Sequence, residues 1–200
     1  MSLRVIKLGG SLLTLPDWHK RFLRWLMTEP PAINLLLIGG GELVDVLRRE
    51  QERFPFPDKN MHFAALAAMD INAQLAHARL PSARLVEGPY EVMEVYDRYF
   101  QKKNASWLGI VQITKWWHAR VEAEDNLPPL TWDTTSDTLA AWIADYISDA
   151  ELVLLKSTAP PRSTGDWTLQ GYVDRNFFHH LSKHIPLRAV NLRASTWDEV

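Results

Sequence analysis

The sequence predicts an α/β domain built around a mainly parallel sheet. Two observations support this fold class. Short aliphatic runs of strand length alternate with helical patterns along the chain, and two of these runs break abruptly into glycine just before a helical pattern begins. The 200 residues, of which 46% are hydrophobic, can enclose one sizeable core, so we expect a single domain over 1–200.

The first fifty residues contain two units in which a strand, a glycine turn and a helix follow one another. The first strand is predicted at residues 3–8 and ends in a glycine pair, and the helix predicted at 17–27 is ended by a proline pair. The second strand, at 33–38, ends in three glycines and is followed by a helical pattern at 43–47. A strand, a crossover helix and a second strand predict a right-handed parallel unit.

The rest of the chain continues the alternation. An Ala-rich helix predicted at 60–79 is apolar on more than one face, which is typical of a helix that is buried among others. The further predicted elements are a strand at 83–86, a helix at 90–100, a strand at 108–114, a helix at 138–147, a strand at 151–155, a helix at 173–183 and a strand at 187–192.

Five of the nine glycines fall in the two glycine turns, at Gly9, Gly10, Gly39, Gly40 and Gly41. Glycine lets backbone N–H groups approach an anion closely, and a helix that starts just beyond contributes the positive end of its dipole. A single glycine pair is more typical of an ordinary tight turn. Because the pattern recurs, we expect a phosphate-like ligand to pass beside both turns, in space that side chains would otherwise fill.

Polar groups follow several of the predicted strands. The carboxyl ends of parallel strands gather at one edge of the sheet, where ligands bind. Lys7 and Lys156 each lie at a strand end, and Asp137 lies in a Thr-Thr-Ser-Asp turn that opens a helix. Two lysines can neutralise charge on a transferring phosphoryl group while an aspartate orients them, so the pattern favours phosphoryl transfer. Neither a P-loop nor a Gly-x-Gly-x-x-Gly run is present.

Three segments resemble the amino acid kinase superfamily, which includes carbamate, acetylglutamate, aspartate, uridylate and isopentenyl phosphate kinases. These segments are Lys7-Leu8-Gly9-Gly10-Ser11, Gly39-Gly40-Gly41 and Thr134-Thr135-Ser136-Asp137-Thr138. The resemblance implies a three-layer αβα sandwich with an open sheet, and a kinase that uses ATP and Mg²⁺. It also implies an acceptor-binding half over about 1–130 and a nucleotide-binding half over about 131–200.

The resemblance implies a role for each matching residue. The catalytic residues would be Lys7, Asp137 and Lys156. The nucleotide would contact Gly9, Gly10, Ser11, Lys156, Ser157 and Thr158. The acceptor would contact Gly39, Gly40, Gly41, Asp133, Thr134 and Thr135. No residue is assigned to a metal.

The acceptor is open at this stage. The compact chain and the helix around Asp70 most resemble the small kinases that phosphorylate an aminomethylfuran methyl phosphate in methanofuran biosynthesis. His62 is a candidate for binding an acceptor phosphate, and Asp70 or Asp133 for pairing with an amine. For His62 a helix-capping or solvent-exposed role is the favoured interpretation, and for Asp70 and Asp133 the alternative is a solvated carboxylate on a helix or turn.

The segment after Lys156 departs from the superfamily. Its usual Val-Asp-Gly-Val is replaced by Ala-Pro-Pro-Arg-Ser-Thr-Gly at 159–165. The alternative function is therefore a nucleotide- or metabolite-binding protein that keeps the kinase fold without turnover.

Composition limits the partners. The formal charge of −2, from 22 basic and 24 acidic residues, gives no general attraction to nucleic acid or anionic membranes. There is no cysteine, and no apolar run approaches the roughly 20 residues of a membrane span. We expect a cytoplasmic protein that binds small molecules and forms a homodimer.

Two local patterns allow other interpretations. The basic and aromatic segment at 115–120 could indicate binding of single-stranded nucleic acid, and the i, i+4 spacing of His180 and His184 could indicate a metal site. In both cases packing or a surface position is the favoured interpretation.

Overall fold

Six strands form one sheet in the computed structural model, which describes residues 2–100, 106–121, 126–147 and 149–194. The strands are β1 (Ser2–Leu8), β2 (Ala32–Ile38), β3 (Arg84–Val86), β4 (Trp107–Val111), β5 (Ala150–Lys156) and β6 (Leu187–Asn191). Their order across the sheet is β3-β4-β2-β1-β5-β6, and all five neighbouring pairs are parallel. The predicted parallel α/β fold is confirmed.

Helices connect the strands. They are α1 (Trp18–Thr28), α2 (Gly41–Arg53), α3 (Asp58–Arg79), α4 (Pro89–Phe100), α5 (Ile113–Arg120) and α6 (Ser136–Ile147). Short 3₁₀ turns occupy Gly10–Thr14, Thr164–Asp166 and Phe177–His179. Among the residues that the structure describes, no helix is both long and apolar enough to cross a membrane.

The two central strands are buried on both faces, so they read as continuous apolar runs. Because side chains alternate along a strand, Val5 contributes to a core with α4, α5 and α6, and Ile6 to a core with α1 on the other face. The crossover from β1 to β2 runs toward the β3 edge of the sheet and places α1 on one face. The crossovers from β3 to β4 and from β4 to β5 run toward the β6 edge and place α4, α5 and α6 on the other face. Crossovers of a single hand require this arrangement, and it produces the three layers.

A buried charge network joins the amino ends of the strands, at the edge opposite the glycine turns. Arg4, only 3% exposed, pairs with Glu29 at 3.2 Å and with Glu151 at 2.9 Å, and Arg188 contacts both carboxylates. Asn34 accepts a hydrogen bond from Arg4 and donates to two backbone carbonyls. The network fixes this edge of the sheet without reaching the opposite one.

Two of the predicted secondary-structure elements differ from the structure, one at 173–183 and one at 108–114. Residues 173–183 form only one short 3₁₀ turn instead of a helix, because the Asp174 carboxylate accepts the Asn176 N–H and turns the backbone. The strand predicted at 108–114 ends at Val111, and α5 begins two residues later. Trp116 and Trp117 on α5 are 0% and 2% exposed, so these aromatic groups pack in the core.

Candidate active site

Two lysines and one aspartate meet at the carboxyl edge of the sheet. Lys7 on β1 pairs in register with Leu154, so Lys156 lies two residues further along β5 and points to the same face. Asp137 lies in the first turn of α6, on that face. Its carboxylate is 2.8 Å from Lys7 Nζ through one oxygen and 2.6 Å from Lys156 Nζ through the other.

Burial and charge act in opposite directions on these groups. Burial would raise the pKa of Asp137, but the positive charges of Lys7 and Lys156 and their hydrogen bonds hold it below its usual value. Burial, reinforced by the charge of Lys7, lowers the pKa of Lys156 to about 8. Lys7, Lys156 and Asp137 together carry one net positive charge, which suits an anionic ligand, and the Asp174 carboxylate offsets part of that charge at Lys156.

The two glycine turns pack directly against each other. A Cβ on Gly10 would lie 2.3 Å from the backbone nitrogen of Gly41, and a Cβ on Gly39 would lie 2.7 Å from the backbone nitrogen of Gly10. Gly41 also has a φ of +54°, which disfavours any side chain. The prediction that these glycines leave room for a ligand is therefore wrong for Gly10 and Gly39, since the neighbouring turn fills that space.

The N-terminus of α6 is held by a residue that the sequence analysis missed. The Asp174 carboxylate accepts hydrogen bonds from the backbone N–H groups of Thr135 and Thr138, at 3.0 and 3.1 Å, and from both threonine hydroxyls. Asn176 donates to the Thr134 hydroxyl at 3.2 Å. Asp174 and Asn176 therefore cap α6, the helix that carries Asp137. The only local sign of this role in the sequence is the Asp-x-Asn spacing, which is typical of a turn.

A cavity of about 440 Å³ opens beside the glycine turns. Its walls combine turn backbone, hydroxyl groups and apolar side chains, from Gly10, Ser11, Gly40, Gly41, Ala65, Leu66, Met69, Thr134 and Thr135 among others. At one side Arg48 lies over the ring of Trp132, 5.5 Å from its centroid, and pairs with Asp45 at 2.8 Å. Neither lysine is among the residues that line this cavity, whereas Ser136, the residue before Asp137, is.

His62 forms part of the cavity wall and is 4% exposed. Burial lowers the pKa of His62, and a hydrogen bond to the backbone of Thr131 opposes that shift only in part. The imidazole is therefore neutral near pH 7, so it offers a polar ring and no charge to a ligand.

The other predicted acceptor residues lie apart from this arrangement. Asp133 is exposed and sits 3.9 Å from Arg175, outside the cavity wall. Asp70 accepts a hydrogen bond from the backbone N–H of Thr114 at 3.2 Å, which gives it a structural contact.

Of the predicted nucleotide residues, Ser157 is 2.9 Å from Ser11 through their hydroxyls and links the first glycine turn to the segment after β5. Thr158 is exposed. His180 and His184 do not share a helical face, because no helix forms there. Within the described ranges, no group of three or more His, Cys, Asp and Glu side chains could hold a metal.

No protein-family model matches this chain, and no curated protein matches its sequence. Solved structures do match it. The UMP kinase of Bacillus anthracis is 12% identical, with a TM-score of 0.67 over 97% of this chain and 88% of that one. The UMP kinase of Ureaplasma parvum is 11% identical, with a TM-score of 0.60 over 98% and 93%. The uridylate kinase of Archaeoglobus fulgidus is 18% identical, with a TM-score of 0.51 over 80% and 68%.

At sequence identities of 11–18%, these matches show that the fold is shared and nothing more. In this chain, the six-stranded parallel sheet lies between helical layers and has the glycine turns, the two lysines and the aspartate at its carboxyl edge. The resemblance predicted from the sequence is confirmed at that level: the chain has the fold of the amino acid kinase superfamily, to which UMP kinases belong.

Proposed function

We propose that this chain is an ATP-dependent phosphotransferase that acts on a phosphate or carboxylate group of a small metabolite. The observation that carries the proposal is the Asp137 carboxylate held between the ammonium groups of Lys7 and Lys156. Removing the buried Lys7 and the largely buried Lys156 from water costs stability, and a site that must neutralise a phosphoryl group gives a reason for it. The fold supports the proposal because its structural relatives are named as kinases.

The proposed reaction is a direct transfer. An oxygen of the acceptor attacks the γ-phosphorus of ATP, the bond from that phosphorus to the bridging oxygen breaks, and ADP leaves with the electron pair. Lys7 and Lys156 stabilise the negative charge on the equatorial and leaving oxygens, and Asp137 keeps the two ammonium groups apart and oriented. The product is a phosphoanhydride or an acyl phosphate.

Mg²⁺ is proposed to arrive with the nucleotide. The described part of the chain has no acidic cluster that would hold the ion by itself, which fits a metal carried by the nucleotide phosphates. When bound, the ion supplies further charge neutralisation at those phosphates.

The cavity beside the glycine turns is proposed as the acceptor site. Its volume of about 440 Å³ suits a small molecule. Apolar walls at Leu66 and Met69 favour a ring or short carbon skeleton, and the Thr134 hydroxyl, which accepts from Asn176, can donate its own hydrogen to a polar group of the acceptor. Among acceptors, an aminomethylfuran methyl phosphate remains our specific proposal. We further propose a cytoplasmic homodimer with acceptor and nucleotide halves at about 1–130 and 131–200.

A first experiment separates catalysis from binding. Thermal shift with MgATP and MgADP measures binding, and an ADP-release assay measures turnover with aminomethylfuran methyl phosphate, UMP, isopentenyl phosphate, acetylglutamate, aspartate and carbamate. We expect both signals, and Lys7→Ala should reduce ADP release by about 10²–10³-fold. Lys183→Ala, at an exposed lysine, is the control.

Binding without turnover would favour the alternative, a nucleotide- or metabolite-binding protein. The altered segment at 159–165 is the observation that keeps this alternative open. Turnover of UMP or an amino acid, with none of the furan phosphate, would contradict the specific acceptor and leave the kinase proposal standing.

A further inference from the structure

Asn72 is one of two buried polar residues on the largely apolar inner side of α3, the other being His62. Asn72 is 7% exposed, and its side-chain NH₂ group donates to the backbone carbonyls of Gly39 at 3.0 Å and Gly40 at 2.7 Å. Burying an amide is costly unless its hydrogen bonds are made, and here both donors are used on successive peptides of one turn.

These two bonds fix where the following N–H groups point. In a trans peptide the C=O and the N–H of the same unit point in opposite directions. Carbonyls of Gly39 and Gly40 that face Asn72 therefore direct the N–H groups of Gly40 and Gly41 away from it. Neither N–H has a backbone acceptor among the described residues.

Two neighbouring cavities border this turn, and Gly10, Thr14 and Glu42 line both of them. Gly40 and Gly41 line the acceptor cavity, whereas Asn72 lines the other cavity with residues of α3 such as Leu75. The two N–H groups that point away from Asn72 thus belong to residues in the wall of the acceptor cavity, which Asn72 does not line. The N-terminus of α2, a helix of 13 residues, adds the positive end of its dipole at the same place.

We propose that Asn72 is a positioning residue that orients the N–H groups of Gly40 and Gly41 toward the acceptor cavity, where they bind an anionic oxygen of the acceptor or of the phosphoryl group. The inference rests on the proposed function for the identity of that anion. Asn72 on α3 would thus orient a turn whose residues Gly39 and Gly40 lie 33 and 32 positions earlier in the chain.

The test uses sulfate, which has the shape and charge of a phosphate dianion and does not titrate between pH 5 and pH 7.5. Protein labelled with [¹⁵N]glycine gives signals from only nine glycines, so the amide shifts of Gly40 and Gly41 can be followed during titration. Asn72→Asp keeps the shape but replaces two donors with acceptors. Asn34→Asp is the matched control, because Asn34 also donates to two carbonyls, at the opposite edge of the sheet.

We expect Asn72→Asp to bind sulfate at least about tenfold more weakly than the wild type at pH 7.5 and to regain affinity as the pH falls to 5. The reason is that the introduced carboxyl group, once protonated, can again donate to one carbonyl. Asn72→Ala should lose the same affinity without recovery at low pH, and Asn34→Asp should bind as the wild type does.

The outcomes separate the two proposals. If Asn72→Asp and Asn72→Ala fold, as judged by circular dichroism, and bind sulfate like the wild type, the role of Asn72 is refuted. If the wild type itself binds neither sulfate nor MgATP, the proposed function fails. In that case the anion contact of Gly40 and Gly41 is refuted as well, and the amide shifts of the free variants decide only whether Asn72 orients the turn, which shifts identical to the wild type would refute.

Discussion

Lys156 Nζ lies 2.6 Å from Asp137 Oδ2 and also donates to the backbone carbonyl of Tyr172 at 2.5 Å. The ammonium group therefore has two fixed acceptors on one side, one from α6 and one from the segment after β5. An anionic ligand would provide a further partner for this group and for Lys7, and would compensate the excess positive charge. This arrangement leads to the first two predictions.

Asp137→Asn should abolish most activity while the lysines remain. The substitution leaves two ammonium groups facing each other without the carboxylate that separates them, so their orientation is lost. We expect ADP release to fall by about 10²–10³-fold, measured at saturating MgATP. Asp145→Asn, on the same helix and bonded to the backbone of Ser182, should retain activity. Equal activity in both variants would exclude Asp137 from the reaction.

Anion binding should weaken as the pH rises above about 8. Burial and then the charge of Lys7 lower the pKa of Lys156 to about 8, so the free protein loses this positive charge above that pH. An anion favours the protonated lysine, and the affinity for ADP should therefore decrease toward a limit of about tenfold per pH unit above 8. Calorimetric titration between pH 6.5 and 9.5 measures this, with proton uptake on binding near pH 8.

Lys156→Arg is the control for that pH dependence. Arginine stays charged throughout the range, so the affinity of this variant should change little between pH 6.5 and 9.5. A pH profile of the variant that matches the wild type would assign the titration to another group.

Gly10→Ala should destabilise the fold. Its Cβ would meet the Gly41 backbone at 2.3 Å, and backbone cannot move aside as a flexible side chain can. We expect a loss of about 1–3 kcal/mol in the free energy of unfolding, measured with urea. Gly165→Ala is the matched control, because its Cβ would meet only the Ser163 hydroxyl at 3.5 Å. Unchanged stability with lost ADP binding would instead restore the prediction that a ligand fills this space.

Asp174→Ala should weaken both the helix and the site. The substitution removes the acceptor for two backbone N–H groups at the start of α6, which costs about 0.5–2 kcal/mol of stability for a helix cap. Because Asp137 lies in that turn, kcat should fall more than KM rises. Asp174→Asn keeps one acceptor oxygen and should recover part of both losses, as denaturant unfolding and ADP release would measure.

The fold could be predicted because its signals are local. Apolar runs that are buried on both faces identify β1, β2 and β5. Lys7, Asp137 and Lys156 each lie at a predictable end of a strand or helix, which is why the sequence could suggest that they meet. Asp174 and Asn72 were missed for the opposite reason. Their partners lie more than thirty positions away, and an asparagine in an Ala-rich helix looks the same whether it faces solvent or a buried carbonyl. The helix predicted at 173–183 failed because side-chain hydrogen bonds of Asp174 compete with the helical ones.

Because Gly10 packs against Gly41, the presence of these glycines in a related sequence does not by itself indicate activity. Because these glycines are needed for two turns to pack, a relative without the proposed phosphoryl transfer would still be selected to keep them. Lys7 and Lys156 are under the reverse pressure, since a buried lysine lowers stability and is readily replaced once its function is gone. Among relatives of this chain, the two lysines would therefore distinguish working enzymes from inactive ones, and the glycine motifs would identify only the fold.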